Sequence, residues 1–177
     1  LPVYDEREWS STFMISEDRG RTWQRYGRLI VEEGRMIQPT VAQRSDGSLL
    51  AMMRRGGDEY RYVWQSVSTD NGRTWSKPQQ TQFKNSNAAL DMIRLANGHL
   101  VVVLNDVFDN REVLHTAVSK DEGTTWEKEK VIEEKKGGEF SYPAVIQTSD
   151  GLIHITYTYN RTLIKHAALN EAWIGHN

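Results

Sequence analysis

One tyrosine and two arginines occupy related places in a repeated pattern of this sequence. Tyr142 lies nine residues before Gly151, Arg54 lies seven residues after Gly47, and Arg111 opens a strand of the next repeat. Guanidinium groups bind carboxylates in a planar, bidentate way, and a phenol can act as a nucleophile when a neighbouring base activates it. These residue types predict a pocket for an acidic ligand such as an acidic sugar.

Three copies of the motif S-x-D-x-G-x-T-W fix the architecture that must hold these side chains. Their aspartates, Asp18, Asp70 and Asp121, are 52 and 51 residues apart. A carboxylate can accept hydrogen bonds from the amides of its own turn, and glycine takes the positive φ that the turn needs. We therefore interpret the three aspartates as structural rather than catalytic, and we expect each motif Trp to pack into the apolar layer.

A second repeat alternates with the first and completes the predicted unit. Asp46-Gly47, Asn97-Gly98 and Asp150-Gly151 are hairpin signals between runs of β-forming residues. One period thus reads as four strands, which in the second repeat fall near 37–44, 48–54, 60–68 and 75–82. A four-stranded antiparallel unit repeated every ~50 residues is typical of a propeller blade.

The predicted fold class is therefore an all-β propeller with about three blades of four-stranded antiparallel sheets. We place the blade ends near 1–33, 34–85, 86–135 and 136–177, with no second domain and with thirteen strands, because the chain is expected to open on strands 3 and 4 of a blade. Propellers close with about four to eight blades, so the remaining blades are expected from a longer chain or, less favoured, from a second copy.

The connectivity of a blade also sorts residues between its two rims. The start of strand 1, the end of strand 2 and the start of strand 3 share the rim with variable loops, where binding groups concentrate. Gln38, Ala89 and Tyr142 each lie nine residues before the Gly of their own turn and should approach the propeller axis side by side. The same rim collects further polar residues: Arg54, Arg55, Asp58, Glu59, Asn105, Asp106, Asp109, Arg111, Tyr159 and Arg161.

Composition argues against several other classes of function. Twenty-two basic and twenty-four acidic residues give a net charge of −2, which disfavours nucleic acid as a partner. No apolar run approaches the ~18–20 residues of a membrane span. There is no Cys, and the five His lack metal-ligand spacing, so we expect no disulfide, no metal and no cofactor.

From about Ile37 to Leu169 the sequence resembles the sialidase (neuraminidase) superfamily, in the bacterial branch described as BNR-repeat or predicted neuraminidases. Besides the three Asp motifs, the resemblance is carried by the stretches Ile37-Gln38-Pro39-Thr40, Met52-Met53-Arg54, Arg111-Glu112-Val113-Leu114 and Phe140-Ser141-Tyr142-Pro143. It implies a propeller that has six blades when complete.

The resemblance also implies an activity and roles for individual residues. The activity is exo-acting hydrolysis of sialic acid or a related acidic sugar, with Tyr142 as nucleophile and with Arg54 and Arg111 clamping the substrate carboxylate. A neutral tyrosine suits such a substrate because a carboxylate nucleophile would be repelled. Asp91, Tyr159 and Arg161 are further candidates for substrate contact.

Two departures from the family pattern bear on catalysis. Gln38 stands where the family has the glutamate that activates the tyrosine, and an amide cannot take a proton; Glu139 or Asp91 could substitute. The family's first clamp arginine and its acid/base aspartate come from early blades that this chain lacks. We therefore expect that one copy of this chain cannot assemble the complete catalytic site.

Two other functions remain open from the sequence. One is a lyase acting on uronate glycans, with Tyr157, Tyr159, Arg161 and His166 as the reacting cluster. The other is a carbohydrate-binding propeller that kept the arginine clamp and lost the base. A glycan-active family without Cys favours an extracellular or periplasmic location.

Overall fold

The computed structural model describes residues 1–31, 35–56, 61–127 and 130–175, which contain fourteen strands and one short helix. The first sheet consists of β1 (Pro2–Asp5), β2 (Ser10–Ile15) and β3 (Gln24–Leu29). The second consists of β4 (Arg35–Gln43), β5 (Leu49–Gly56), β6 (Tyr62–Ser68) and β7 (Gln79–Lys84). The third consists of β8 (Asp91–Arg94), β9 (Leu100–Leu104), β10 (Val113–Ser119) and β11 (Lys130–Glu134). The fourth consists of β12 (Phe140–Gln147), β13 (Ile153–Tyr159) and β14 (Leu163–Leu169), and helix α1 (Glu171–Gly175) follows it.

Every sheet is an antiparallel meander whose strands pair in chain order, as the blade prediction requires. The predicted hairpin glycines Gly47, Gly98 and Gly151 adopt φ of +85°, +93° and +87°. The prediction of thirteen strands was wrong, because Pro2–Asp5 also pairs with β2. No Asp-Gly or Asn-Gly turn precedes β2, so its hairpin gave no sequence signal. The expected blade boundary at 33/34 and the expected rim residues Asp58 and Glu59 lie outside the described residues.

The first strands of the second, third and fourth sheets are neighbours in space, and Asp91 links them. One carboxylate oxygen accepts a hydrogen bond from Thr40 Oγ1 at 2.8 Å, and the other accepts one from the Val145 amide at 2.9 Å. Both oxygens of Asp91 are thereby engaged by neighbouring inner strands. This placement favours a structural role for Asp91 over the expected contact with substrate or with the tyrosine.

The core lies between successive sheets rather than inside any one of them. Strand β9 is apolar and buried at all five positions because it has a sheet on each face. Leu100, Val102 and Leu104 pack in the cluster shared with the second sheet. Val101 and Val103 pack in the cluster shared with the fourth sheet. Alternation of side chains along a strand therefore produces two interfaces from one apolar run.

Each Asp motif closes its turn with the same hydrogen bonds. In the second sheet, Asp70 Oδ1 accepts from the Thr74 amide at 2.8 Å and from Ser68 Oγ at 2.8 Å, while Oδ2 accepts from Thr74 Oγ1 at 2.6 Å. Asp18 and Asp121 repeat this pattern. The hydrogen bonds from the Thr backbone and hydroxyl lower the pKa of each carboxyl to about 2. The geometry supports the structural interpretation of these aspartates.

The motif tryptophans join each sheet to the one before it. Trp75 stacks on Phe13 of β2 with ring centroids 4.0 Å apart, and Trp126 meets Phe83 of β7 edge-on at 5.4 Å. Trp23 has no earlier sheet to contact within the described chain and is 45% exposed. Two of the three tryptophans thus pack as expected. No helix in the described ranges is long and apolar enough to cross a membrane.

Candidate functional site

Two equivalent β-bulges turn Gln38 and Tyr142 out of their strands. The pairing of β4 with β5 shifts between Ile37 and Pro39, and the pairing of β12 with β13 shifts between Ser141 and Ala144. At these bulges Gln38 and Tyr142 adopt φ of 52° and 51°. A bulge re-aims a side chain, and strained backbone of this kind clusters at functional sites. The sequence equivalence of these two positions therefore extends to their backbone conformation.

Arg54 is held at the end of β5 by two amide side chains. Its Nη1 donates to Gln38 Oε1 at 2.8 Å and its Nε donates to Asn87 Oδ1 at 2.8 Å. The residue is only 9% exposed, and burial lowers the pKa of its guanidinium. Arginine nevertheless stays protonated in proteins. Arg54 is thus a fixed, partly desolvated positive charge beside Tyr142.

Arg111 approaches the same tyrosine from the third sheet. Its Nη2 donates to the main-chain oxygen of Asn87 at 2.9 Å, and its Nη1 donates to Glu139 Oε1 at 3.2 Å. Its Cζ lies 5.3 Å from the centroid of the Tyr142 ring. The structure therefore brings Arg54, Arg111 and Tyr142 together; we call them, with Gln38, Asn87 and Glu139, the rim site.

Asn87 is the residue of the rim site that sequence reasoning missed. Its side chain binds Arg54 and its carbonyl binds Arg111, so it is the bridge between the two arginines. It adopts φ of 59°, a conformation that Asn tolerates better than most residues. The available signal was an Asn two residues before Ala89, the repeat equivalent of Gln38 and Tyr142.

Two guanidinium groups, those of Arg111 and Arg54, interact with the hydroxyl of Tyr142. Burial raises the pKa of Tyr142, but the hydrogen bond and positive charge of Arg111, together with Arg54, outweigh it and bring the pKa below its usual value of 10. The residue remains 46% exposed. Tyr142 therefore has a larger phenolate fraction at neutral pH than a free tyrosine, and a ligand can reach it.

Glu139 is poorly suited to the role of substitute base. It accepts hydrogen bonds from Arg111, from Ser141 Oγ at 3.2 Å and from Arg161 Nε at 2.6 Å. Burial raises the pKa of its carboxyl, but the bond to Arg161 and the two positive charges outweigh burial and lower it. A carboxylate stabilised in its charged form takes a proton weakly. Glu139 instead orients the two arginines.

Gln38 likewise orients its neighbours. Its oxygen accepts from Arg54, and its Nε2 lies 3.4 Å from the hydroxyl of Tyr4 on β1. Tyr4 extends the rim site toward the first sheet, which the sequence did not indicate. The arrangement of Gln38 is consistent with an amide that fixes a guanidinium and performs no proton transfer.

Tyr159 and Arg161 differ in their relation to the rim site. The ring centroids of Tyr159 and Phe140 are 5.2 Å apart, and Lys165 Nζ lies 5.1 Å from the centroid of the Tyr159 ring. Tyr159 therefore packs within the fourth sheet. Arg161 reaches the rim site through its ion pair with Glu139. Of these two expected contacts, only Arg161 lies with the arginines and Tyr142.

The cluster expected for a lyase is not assembled. Tyr157 is paired with Lys165 across the sheet, whereas His166 is paired with Thr156, one position along. Successive strand residues point to opposite faces, so Tyr157 and His166 lie on opposite sides of the fourth sheet. Tyr157 also donates its hydroxyl hydrogen bond to Glu133 at 2.8 Å on the buried side.

The rim site can bind an anion and present a phenol to it. Within the described ranges, no group of three His, Cys, Asp or Glu could hold a metal ion. Two guanidinium groups beside an exposed phenol of lowered pKa are suited to a ligand with a carboxylate close to its reacting atom.

Comparisons with known proteins agree with this architecture. The family model described as a BNR repeat-like domain matches residues 1–155. A search of curated proteins found no significant match.

Several solved structures share the fold. The NanB sialidase from Streptococcus pneumoniae superposes with a TM-score of 0.79 at 15% identity, over 94% of this chain and 28% of that chain. A leech intramolecular trans-sialidase gives 0.79 at 16% identity, over 98% of this chain and 29% of its own. The intramolecular trans-sialidase from Ruminococcus gnavus gives 0.76 at 18% identity, over 100% and 41%. The chain thus has the fold of a sialidase-type propeller and spans less than half the length of these relatives.

Proposed function

The chain belongs to the BNR repeat-like domain family, and on that premise we propose that it supplies the acidic-sugar site of a carbohydrate-active propeller. The observation that carries the proposal is the pair Arg54 and Arg111, both bound to Asn87 and both acting on Tyr142. Two cations fixed before a ligand arrives bind a carboxylate without paying to order their own side chains. The resemblance to solved sialidases supports an acidic sugar as the ligand.

The favoured reaction is exo-acting hydrolysis of sialic acid or a related acidic sugar through Tyr142. In this reaction the Tyr142 oxygen attacks the anomeric carbon, the bond from that carbon to the leaving oxygen breaks, and the leaving oxygen takes up the proton that the phenol loses. Water then cleaves the glycosyl–tyrosine bond and returns the proton to the phenol. The lowered pKa of Tyr142 supports its role as nucleophile.

A carbohydrate-binding propeller without turnover is the second candidate, and Gln38 is the observation that favours it. Its amide accepts a hydrogen bond from Arg54 and cannot accept the phenol proton. Glu139, the carboxylate bound to Arg111, is also held by Arg161 and Ser141. Binding then requires only the arginines, whereas hydrolysis also requires a proton acceptor for Tyr142.

Titration calorimetry with the methyl glycoside of a sialic acid, and with its uncharged methyl ester, tests the proposal. The acid is expected to bind and the ester to bind at least tenfold more weakly, since a hydrogen bond to a charged group contributes about 1.5–3 kcal/mol. Arg111→Ala should weaken binding of the acid by a similar factor. Arg73→Ala is the matched control, because Arg73 lies in an Asp motif on the other rim.

Hydrolysis of an aryl glycoside of the same sugar separates the two candidates. Turnover that Tyr142→Phe abolishes supports the hydrolase, and binding without turnover supports the carbohydrate-binding propeller. Equal binding of acid and ester, or an unaltered affinity in Arg111→Ala, would refute the acidic-sugar site itself.

A further inference from the structure

Arg161 lies in a tight turn, in a backbone conformation that is unfavourable for arginine. The turn runs from Tyr159 to Thr162 and is closed by the Thr162 amide donating to the Tyr159 oxygen at 3.1 Å. Its two central residues, Asn160 and Arg161, adopt φ of 51° and 54°. Asn followed by Gly is the preferred pair when both central residues have positive φ. Asn160 fits this preference and Arg161 does not, which suggests that the arginine side chain is present for a function.

Hydrogen bonds and an ion pair with Glu139 fix the position of this turn. The main-chain amide of Asn160 donates to the main-chain oxygen of Glu139 at 2.7 Å, and the main-chain amide of Glu139 donates to Asn160 Oδ1 at 2.9 Å. The Glu139 carboxylate then accepts from Arg161 Nε at 2.6 Å. One edge of the guanidinium is therefore oriented by a carboxylate that also binds Arg111.

The remainder of the Arg161 guanidinium faces open space. Its side chain is 68% exposed. It borders a hollow of about 540 Å³ that is lined by Tyr142, Thr158, Arg161, Thr162, Leu163 and Ile164. This volume accommodates a monosaccharide. The Thr158 hydroxyl can exchange hydrogen bonds with sugar hydroxyls, and Thr162 Oγ1, which donates to the main-chain oxygen of Tyr159 at 3.1 Å, can accept one. Tyr142 is shared between this hollow and the rim site, so a unit bound in the hollow is adjacent to the unit held by Arg54 and Arg111.

We propose that Arg161 forms a second anionic subsite beside Tyr142, and that the ligand of this protein is an oligosaccharide with acidic groups on two neighbouring units. The inference rests on the proposed function, because Arg54 and Arg111 must hold the first acidic unit. Arg161 then binds the carboxylate of the neighbouring unit through the edge of its guanidinium that Glu139 leaves available. The subsite distinguishes doubly acidic glycans from ligands in which the acidic sugar is attached to a neutral unit.

Calorimetry with two probes tests the subsite. One probe is the methyl glycoside of a sialic acid, which carries one carboxylate, and the other is the dimer of the same sugar, which carries two. The wild-type chain is expected to bind the dimer about fivefold to tenfold more tightly, a modest factor because Arg161 is largely exposed. Arg161→Gly installs the residue that the turn prefers and should remove this difference. Because it also breaks the ion pair with Glu139, the test is the ratio of the two affinities and not the affinity for the monomer alone.

Arg19→Gly is the matched control. Arg19 also adopts positive φ, at 61°, and lies in the Asp motif on the opposite rim. It should retain the wild-type preference for the dimer. Equal binding of monomer and dimer by wild type, or an equal loss of both in Arg161→Gly, would overturn the subsite alone. Failure of the wild type to bind either probe would overturn the proposed function, and the subsite with it.

Discussion

The chemistry available to Tyr142 is set by the charges of its neighbours. A phenol next to a carboxylate base is activated by proton removal, whereas Tyr142 is next to Arg111 and Arg54, which stabilise its anion. Under the proposed function, the same positive charges attract the carboxylate of an acidic ligand, whose negative charge offsets the positive field at Tyr142. We therefore expect a bound acidic ligand to raise the pKa of Tyr142 and to oppose the activation of its phenol.

Asn87 is expected to determine affinity by fixing both arginines. Asn87→Gly retains the positive φ and the carbonyl that binds Arg111, but it removes the acceptor for Arg54 Nε. Arg54 is buried, so an unpaired donor there is costly, and affinity for an acidic sugar should fall about tenfold. Asn87→Asp retains the acceptor but adds a negative charge, and it should weaken binding through repulsion of the ligand.

Calorimetry together with thermal denaturation distinguishes this positioning role from a structural one. Affinity for the uncharged ester should change little in either variant, and the weaker binding of Asn87→Asp should be partly restored by salt, which screens repulsion. A lower Tm in Asn87→Gly with unchanged affinity for the acid would show that Asn87 supports only the loop.

At the scale of the element, the Asp motifs make the stability of the fold depend on pH. The pKa of Asp70 is about 2 in the folded chain, below the ordinary value of 3.8, because Thr74 and Ser68 donate hydrogen bonds to the carboxylate. The unfolded state therefore binds more protons between about pH 2 and 4, so this stability is present above pH 4 and is lost as pH falls toward 2. Asp18 and Asp121 act in the same direction.

Asp70→Asn should lower the Tm at pH 7. It should also make the further fall in Tm between pH 7 and pH 3 smaller than in the wild type. The uncharged amide forms weaker hydrogen bonds with the Thr74 amide and hydroxyl than the carboxylate does, and it has no proton to take up. Asp109→Asn is the control, since Asp109 pairs with Arg61 on the surface. Thermal denaturation at pH 7, 4 and 3 measures the effect, and an identical pH dependence in wild type and Asp70→Asn would contradict it.

The elements that the sequence predicted are those with a local chemical signature. The turns at Gly47, Gly98 and Gly151 and the three Asp motifs are each encoded within eight residues, so four sheets could be outlined before the structure. Strand β1 has no such turn beside it and was missed. Repeat register also related Gln38 to Tyr142, because equivalent bulges recur at equivalent positions.

The bonds within the site could not be predicted in the same way. Asn87 binds two arginines that are 33 and 24 residues away, and Asp91 is bound by Thr40 and Val145, 51 and 54 residues away. Such contacts depend on how sheets pack against each other, which no local pattern specifies. For the same reason the sequence suggested Glu139 as a base, whereas its two arginine partners keep it charged.

At the scale of the whole molecule, the two terminal sheets present faces that the inner sheets bury. Ile146 and Ile164 lie on one face of the fourth sheet, because Ile146 pairs with His154 and Ile164 pairs with Thr158, an even four residues further along β13. They are 59% and 69% exposed. On the first and second sheets, by contrast, Trp75 and Trp126 of the following sheet cover Phe13 and Phe83.

An exposed apolar sheet face is a site of association, so the 177-residue chain is expected to self-associate in solution. Light scattering should give a mass above 20.4 kDa that rises with concentration. Ile146→Lys places a charge on the exposed face, outside the hollow beside Tyr142, and should return the mass toward that of the monomer with little change in Tm. Val131→Lys, an equivalent change at an exposed position of β11, should leave association intact. A monomer at every concentration would contradict this prediction, and would mean that the His and Thr residues between the two isoleucines keep this face sufficiently polar.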